Sequence, residues 1–318
     1  MYPTVLKSLP NKCTRILHWW MVLAFLLFAF SASPVSSSEV LIVLSGEHGP
    51  YRQTQAAITK DLAQYGHTTT PILLDHLSPT YVFPTGVSCV VSIGTPATVW
   101  LHQQTFTGKK VYCMVSDPIN AGLNRPLSMS GISTDVPINA QLTLIKDTLP
   151  EVRIIGTLYQ QQDPKSVATL EELRKQVPST WRIEAVAVDA YEAPAGAIDA
   201  LLDKQLDLVW TTPDPIIYTN ASVRHLLLTA LRRRVPVFGF SASFVRAGAL
   251  FGVGIDPDQQ GQQAAQHIRA IFSGTQSNDT IIIPSFDICL NLVVAQKLSF
   301  KFPTAVIERA KQLFQPGR

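Results

Sequence analysis

RRVPVFGFSASFVRAGALFGVGID, at residues 233–256, is the stretch of sequence that decides the fold of this chain. Its two apolar runs predict buried strands, and the polar segment between them predicts a short helix. The first strand ends at Ser241 and the second at Asp256. In open α/β sheets, ligands bind beyond the carboxyl ends of the strands. We therefore expect the Ser241 hydroxyl and the Asp256 carboxylate to lie at one sheet edge and to bind a ligand.

The rest of the chain repeats this alternation of strand-like and helix-like segments. Val87–Ile93 and Arg153–Tyr159 are mostly apolar runs, which indicate strands covered on both faces and hence parallel sheets. The pattern begins again with an amphipathic helix at Asn139–Leu149. Two consecutive sets of similar size predict an α/β protein with two doubly wound parallel-sheet lobes joined by a hinge. A single barrel of eight βα units is the structural alternative.

The first 38 residues have the composition of a secretory signal. Lys7, Lys12 and Arg15 precede an apolar run at Trp19–Phe30, small residues follow at Ser31–Ser38, and there is no acid. The apolar run is short for a membrane span, which needs about 20 residues. The chain is therefore expected to be periplasmic after removal of residues 1–38, with an uncleaved anchor as the alternative.

Charge and histidine placement exclude two classes of partner. The chain has 26 Lys and Arg against 23 Asp and Glu, and the signal segment contains three of the cations, so the remainder is balanced. No excess of positive charge is left to attract nucleic acid. The seven histidines are scattered and no CxxC or HExxH motif occurs, so we expect neither a metal site nor a cofactor.

Three cysteines lie beyond the signal segment: Cys89, Cys113 and Cys289. Cys89 and Cys113 both sit in apolar, strand-like runs, where a thiol acts as a small hydrophobic group. A Cys89–Cys113 disulfide is the alternative if the two strands adjoin, and spacing alone does not decide between them.

No catalytic motif is complete. Gly239-Phe240-Ser241-Ala242-Ser243 resembles a nucleophile elbow except at its last position, where Ser243 replaces the required glycine. The only later histidine is His267, within a predicted helix, so no Ser-Asp-His order follows. Gly252-Val253-Gly254 lacks the third glycine of a dinucleotide-binding loop. We therefore expect a binding protein rather than an enzyme.

Several separated blocks of sequence resemble the substrate-binding proteins of ABC importers of the tryptophan/tyrosine type. Besides residues 233–256, these are Gly94-Thr95-Pro96-Ala97, Val115–Leu123, Ile154–Tyr159 and Asn291–Leu298. The resemblance implies two lobes of the type I periplasmic binding protein fold that close on a small ligand. It also implies delivery of that ligand to an inner-membrane permease. Aromatic amino acids are the ligands of some members.

The resemblance also implies lobes that are discontinuous in sequence. The first lobe is expected to comprise residues 39–134 with 256–278 returning to it. The second is expected to comprise residues 135–255 with 279–314 returning to it, its last segment, Thr304–Phe314, being helical. Two or three crossings between the lobes would then form the hinge, near Ser133–Asp135, Gly254–Pro257 and Thr275–Thr280.

The chain departs from the family pattern in the loop that begins at Tyr159. Tyr159, Pro164 and Ser166 persist there, but Lys165 replaces an asparagine that is expected near the cleft. The resemblance thus implies ligand contacts from Tyr159 and Ser166. Lys165 would favour an acidic ligand if it faces the cleft, and it is otherwise a solvated lysine. The family's ligand therefore cannot be transferred directly.

Strand and helix ends supply the remaining candidate ligand-binding residues. Helix N-termini favour carboxylates, and the helix predicted after Gly94 begins at Thr95. Thr95, Asp117 and Asp214 are alternatively cap or turn residues, and Asp256 is alternatively a hinge residue. Tyr159 and Trp210 either stack on a ligand ring or belong to the core. An ammonium group would pair with one of the aspartates that end strands. The candidates from strand and helix ends are Ser45, Gly46, Gly94, Thr95, Asp117, Asp214, Ser241 and Asp256.

The sequence as a whole predicts a monomeric periplasmic solute-binding component of an ABC importer. Its ligand would be a small molecule, such as an amino acid or related metabolite, and its protein partner an inner-membrane permease. A ligand-sensing protein that signals to a membrane kinase or cyclase would have the same fold and cleft. A periplasmic enzyme is disfavoured by the incomplete motifs.

Overall fold

A computed structural model describes residues 38–123, 129–276 and 280–315. The predicted signal, residues 1–38, lies outside these ranges except for Ser38. Among the helices of the three described ranges, none combines the length and the apolar character needed to cross a membrane.

Strands and helices alternate along the described chain. The first set consists of β1 (Glu39–Leu44), α1 (Gly49–Gln64), β2 (Thr68–Leu73), β3 (Val87–Ile93), α2 (Thr95–Gln103), β4 (Lys109–Val115) and β5 (Ser130–Ser133). The second set consists of α3 (Ile138–Thr148), β6 (Ile154–Tyr159), α4 (Pro164–Gln176), β7 (Arg182–Ala187), α5 (Pro194–Leu202), β8 (Leu208–Trp210), α6 (Asn220–Arg232), β9 (Val237–Gly239), α7 (Ala242–Ala247) and β10 (Phe251–Gly254). The final segment forms α8 (Pro257–Phe272), β11 (Ile281–Ile282), β12 (Asp287–Asn291), α9 (Leu292–Leu298), α10 (Thr304–Arg309) and β13 (Gln312–Phe314).

The strands form two separate sheets, which confirms the prediction of two α/β lobes and excludes the barrel. The first sheet has the order β11-β5-β4-β3-β1-β2, and the second has the order β13-β12-β10-β9-β8-β6-β7. Every neighbouring pair is parallel except β10 and β12, which are antiparallel. The second sheet is therefore mixed, because the chain returns to it in the opposite direction after crossing from the first lobe.

Strand β1 shows why the strands read as continuous apolar runs. Val40, Ile42 and Leu44 belong to one apolar cluster, which also contains Ile58 of α1 and Ile268 of α8. The alternate residues of the same strand, Leu41 and Val43, belong to a second cluster on the opposite face. Because helices cover both faces of the sheet, all five positions from Val40 to Leu44 are buried and apolar.

Helix α8 packs on the first lobe. The Thr54 hydroxyl of α1 donates to the carbonyl oxygen of Pro257 over 3.0 Å. Gly261 permits the close approach, since a Cβ atom there would lie 2.5 Å from the Thr54 carbonyl oxygen. This helix therefore continues the sheet-covering layer that α1 begins.

The last crossing between the lobes lies later in the chain than predicted. Ile281 pairs with Gly131 and Ile282 with Ile132, so β11 extends the first sheet. The chain then reaches β12 of the second sheet, so the crossing falls at 283–286 rather than at Thr275–Thr280. The sequence could not reveal this, because a two-residue apolar strand fits the edge of either sheet equally well.

The predicted helix Thr304–Phe314 is wrong in its last part. Helix α10 ends at Arg309, and β13 pairs in parallel with β12 through Leu290 and Leu313. The Phe314 ring also packs beneath the guanidinium carbon of Arg246, 5.1 Å from the ring centroid. Sheet pairing and this cation–π contact outweigh the helical pattern of the segment.

The predicted alternative of a Cys89–Cys113 disulfide is excluded by strand register. Cys89 is opposite Lys109, whereas Cys113 is opposite Ile93, so the two cysteines are four positions apart along neighbouring strands. Four positions correspond to about 13 Å, beyond the reach of about 7 Å between bridged Cα atoms. All three described cysteines are free and buried. Burial raises the pKa of Cys289 to about 12, so the thiol stays protonated and acts as a small hydrophobic group.

His267 of α8 gives the first lobe a pH-dependent stability. Its side chain is 2 % exposed, with Nε2 2.6 Å from the Ser130 hydroxyl and Nδ1 bonded to Gln276. Burial lowers the pKa of His267 below its ordinary value of 6.5, and the bond to Gln276 offsets this only in part. The unfolded chain therefore binds a proton at a higher pH than the folded chain does.

We expect the melting temperature to fall as the pH is lowered from 7 to 5, and His267→Gln to make that fall smaller. The neutral, buried imidazole contributes its full share of the free energy of unfolding above the pKa that His267 has in the unfolded chain. This contribution is lost as the pH falls through the lower pKa that His267 has in the folded protein. His48→Gln, at an exposed position of the first lobe, is the matched control and should keep the wild-type slope. Thermal melts at five pH values measure this, and equal slopes for wild type and His267→Gln would contradict it.

Candidate functional site

A cavity of about 980 Å³ lies between the two lobes. The first lobe contributes the loop that follows β4, the first crossing contributes 134–138, and the second lobe contributes the carboxyl ends of β6 and β8 and the start of α4. These are the strand ends beyond which open α/β sheets bind ligands. The cavity is therefore the candidate ligand site.

The wall from the first lobe is organised by Asp135. Its carboxylate accepts hydrogen bonds from the Ser116 hydroxyl (2.7 Å), the Ser133 hydroxyl (2.7 Å) and the Asp117 backbone N–H (2.6 Å). Asp117 has a φ of 48°, a left-handed conformation that is uncommon for non-glycine residues but that aspartate adopts more often than most. The Asp117 carboxylate in turn accepts from the Asn120 amide nitrogen over 2.8 Å. The loop is thus held rigidly against the first crossing.

The wall from the second lobe is organised by Gln160. Its backbone N–H donates to the Ser166 hydroxyl (2.9 Å), and its side-chain amide donates to the Asp214 carboxylate (2.8 Å). Asp214 also accepts from the backbone N–H groups of Ile216 and Ile217. One glutamine therefore links two of the residues that the sequence predicted for the site.

The floor of the cavity is formed by Trp210 and Gln141. The indole N–H of Trp210 donates to the Gln141 side-chain oxygen over 2.9 Å. The Gln141 amide nitrogen donates to the Val136 carbonyl oxygen in the first crossing over 2.8 Å. Because Trp210 is only 1 % exposed, it is a core residue rather than a stacking surface.

Lys165 faces the cavity. It occupies the first turn of α4, where Asp163 caps the helix by accepting from the backbone N–H groups of Lys165 and Ser166. Its ammonium nitrogen lies 3.5 Å from a carboxylate oxygen of Asp117 on the opposite lobe. Among the described residues that line the cavity, Lys165 is the only lysine or arginine, and the acidic residues are Asp117, Asp135, Asp163, Glu172 and Asp214.

The cavity brings together four of the ten residues that the sequence predicted for ligand binding. These are Asp117, Tyr159, Ser166 and Asp214. The sequence missed Gln141, Gln160 and Asp135. Gln141 gave no signal, because it sits within an otherwise ordinary amphipathic helix. Gln160 and Asp135 lie beside a strand end and a crossing, and those positions could have drawn attention to them.

Four further predicted residues lie outside the cavity, at the carboxyl ends of β1 and β3. Ser45 accepts a hydrogen bond from the Ala97 backbone N–H over 2.9 Å, and so helps to cap α2. Gly94 precedes Thr95 with a φ of 89°, and a Cβ atom there would lie 2.7 Å from the Ser45 hydroxyl oxygen. Gly46 continues the same loop. The contacts of these residues are those of a helix start, and their role in ligand binding stays a prediction.

Ser241 and Asp256 also lie outside the cavity, and both are helix caps. The Ser241 hydroxyl accepts from the Phe244 backbone N–H over 3.2 Å at the start of α7. Asp256 accepts from the backbone N–H groups of Asp258 (2.7 Å) and Gln259 (3.2 Å) at the start of α8. Neither residue is among those that line this cavity, and their role in ligand binding stays a prediction.

No group of three or more histidine, cysteine, aspartate or glutamate side chains in the described ranges is placed to hold a metal ion. The acidic residues of the cavity are individually bonded to backbone and side-chain donors instead.

Comparison with known proteins gives one family and several relatives. The family model for ABC transporter substrate binding proteins matches residues 83–314. The curated tyrosine-binding protein of Clostridioides difficile is 22 % identical over 196 residues, which cover 60 % of this chain and 56 % of that protein. The match thus spans little more than half of the relative's length.

Solved structures with the same fold include two from bacteria. One is an ABC domain from Streptococcus pneumonia in complex with L-Trp. It is 21 % identical, the match covers 88 % of this chain and 100 % of that chain, and the TM-score is 0.62. The other is a ligand-free, open substrate binding protein with adhesive properties from Clostridium difficile, with 19 % identity, the same coverages and a TM-score of 0.72. At these identities the likeness concerns the fold alone.

Proposed function

Because the chain belongs to the family of ABC transporter substrate binding proteins, we propose that it captures a small organic ligand between its lobes and delivers it to an inner-membrane permease. The observation that carries the proposal is the cavity of about 980 Å³, to which both lobes and the first crossing contribute. We propose that it acts in the periplasm as a monomer, and that it releases the ligand chemically unchanged.

Lobe closure around the ligand is the proposed mechanism. A ligand that contacts both lobes stabilises the closed arrangement by the contacts that exist only there. Hydrogen bonds hold the segments next to the crossings in place. Buried Gln260 of α8 accepts from the Met114 backbone N–H and donates to the Ser133 carbonyl oxygen. Asp287, just after the third crossing, accepts from Gln259 (3.0 Å) and Gln312 (3.2 Å).

Amino acids are the first ligands to test. The relatives described above are a tyrosine-binding protein and a domain in complex with L-Trp. The cavity offers aromatic side chains at Tyr159 and Phe240 and polar groups on both walls. The proposal of an importer component is preferred to that of a sensor because the matching family is defined by ABC transport.

A thermal-shift screen of the purified protein against the amino acids, acidic metabolites and purines tests this function. A ligand at about a hundredfold excess over its Kd should raise the free energy of unfolding by about 2.7 kcal/mol, which corresponds to a rise in Tm of about 5 °C. Analysis of the recovered compound by mass spectrometry should show no conversion. If no compound in the screen stabilises the protein, or if the bound compound is converted, the proposed function is contradicted.

Two tryptophan substitutions test the location of binding. Ala168 is exposed and lines the cavity, so Ala168→Trp should fill it and remove the ligand-induced shift. Val82, 84 % exposed on the first lobe, does not line the cavity, so Val82→Trp is the matched control and should keep the shift. An equal ligand response of the two variants would place binding elsewhere.

A further inference from the structure

A second, distal cavity of about 1440 Å³ lies within the second lobe, between α6, α9 and β13. Phe314 of β13 pairs with Asn291, whose backbone N–H donates to the carbonyl oxygen of Leu250, just before the start of β10. The cavity between the lobes is lined by Val253, which lies near the carboxyl end of the same strand β10. The two cavities share no described lining residue, so they can be occupied independently.

All the charged side chains that line the distal cavity are positive. They come from four different segments of the second lobe and are Arg224, Arg246, Lys297 and Lys311. Within the described ranges, no aspartate or glutamate lines the distal cavity, and none of the four cations forms an ion pair. Other cations of the same lobe are paired, as Arg233 is with Asp203. Four positive charges without a partner make the distal cavity suited to an anion.

Arg246 is held in place without the use of its hydrogen-bond donors. Its guanidinium carbon lies 5.1 Å from the centroid of the Phe314 ring, which is a cation–π contact between α7 and β13. Within the described part of the chain, its side chain donates no hydrogen bond, although a guanidinium group has five N–H donors. Arg246 is therefore oriented by stacking, and its planar fork remains available to a carboxylate or a phosphate.

The rest of the lining is mostly apolar and partly open to water. Leu228 of α6 is 48 % exposed and Leu313 of β13 is 39 % exposed. Leu227 and Leu231, four positions apart on α6, add to the apolar wall. The lining residues of α6 run from Asn220 to Leu231, which corresponds to a wall about 16 Å long. An apolar chain along this wall would remove exposed leucine surface from water.

We propose that the distal cavity binds an amphipathic anion, a small molecule with one anionic head and an apolar chain, as a fatty acid has. The head binds Arg246 and the other cations of the lining, and the chain lies against the leucines of α6. The concave shape favours a molecule that enters the lobe over a membrane surface that lies on it. The site goes beyond the proposed function, which would stand unchanged without it.

The test compares three probes that separate the charge from the chain. They are dodecanoate, dodecyltrimethylammonium, which has the same chain with a positive head, and acetate, which has the head without the chain. Isothermal titration calorimetry measures their affinities, with both long-chain probes below the concentrations at which they form micelles. Wild-type protein should bind one dodecanoate per chain, at least about tenfold more tightly than the ammonium compound, and should show no measurable binding of acetate. Added salt should weaken the binding of dodecanoate, because it screens exposed charges.

A double variant tests the location. Arg224→Met with Lys297→Met removes two exposed cations of the lining and keeps their unbranched apolar stems, so the fold should persist. It should weaken dodecanoate binding by about fivefold or more. Arg232→Met with Lys301→Met removes the same charges from exposed positions of this lobe outside the distal cavity, and this matched control should bind as wild type does. Ala168→Trp, which fills the cavity between the lobes, should also leave the affinity for dodecanoate unchanged.

Four results would overturn the inference. Wild-type protein could fail to bind dodecanoate, or could bind the ammonium compound as tightly. The double variant and its control could have equal affinities, or Ala168→Trp could lose dodecanoate binding, which would place the anion between the lobes. Sedimentation with vesicles of phosphatidylglycerol and phosphatidylcholine tests the competing occupant. If wild-type protein sediments with these vesicles, the double variant does not, and dodecanoate is not bound, the cations serve a membrane surface and the proposed site is wrong.

Discussion

Gly252→Ala is expected to lower the free energy of unfolding by about 4 kcal/mol, and the melting temperature by about 7 °C. Gly252 of β10 is opposite Gly239 of β9, in the interior of the second sheet. A Cβ atom at Gly252 would overlap the carbonyl oxygen of Gly239 and lie 2.8 Å from its carbonyl carbon and 2.9 Å from its nitrogen. All three atoms are backbone atoms, so relief requires the two strands to separate.

Thermal and denaturant unfolding of the ligand-free protein measure this effect. Gly49→Ala is the matched control, because Gly49 begins α1 and a Cβ atom there would have no neighbour within 4 Å. The control should lie within about 0.5 kcal/mol of wild type. A Gly252→Ala protein as stable as the control would show that β9 and β10 can move apart at little cost.

Trp210→Ala is expected to destabilise the protein by about 4 kcal/mol and to weaken ligand binding as well. Trp210 is among the largest fully buried side chains, and it shares its apolar core with Leu208 and Phe238. Its removal leaves a cavity that the surrounding sheet can fill only in part. The substitution also removes the indole donor to Gln141, whose other hydrogen bond is to Val136 in the first crossing. The chain of hydrogen bonds that joins the floor of the ligand cavity to the first crossing is then broken.

Trp210→Phe separates packing from hydrogen bonding. It retains most of the apolar volume but removes the indole donor to Gln141, and it should cost about 1–2 kcal/mol. Chemical denaturation measures both variants, and titration with the ligand from the screen measures their affinities. The interpretation of Trp210 as a core residue would be overturned if Trp210→Ala lost less than about 1 kcal/mol.

The alternation of apolar runs determined the two-lobed α/β architecture before any contact was known. Strand β1 is the example, because its five consecutive buried residues supply two core clusters on opposite faces. A capping residue followed by proline is a helix start of the same local kind. Asp163 with Pro164, and Asp256 with Pro257, begin α4 and α8 as such pairs do elsewhere.

The candidate site could be predicted only in part, for a reason that Ser241 and Asp256 make clear. Both residues end strands, as a ligand-binding residue often does, and both also precede helices, as a capping residue does. Local sequence fits either role. Tyr159 ends a strand, and Asp117 and Asp214 follow strands, yet all three line the cavity because these strands end at the cleft between the lobes.

By itself, the sequence determined the α/β fold class and the alternation of strands and helices, because periodicity depends on residues only a few positions apart. The sheet to which β11 belongs, the replacement of a helix end by β13 and the separation of Cys89 from Cys113 were decided by tertiary structure. So was the meeting of Lys165 with Asp117 across the cavity. Those features depend on strand register and on the relative orientation of the two lobes, which three crossings connect. Both are set by packing between segments far apart in the chain.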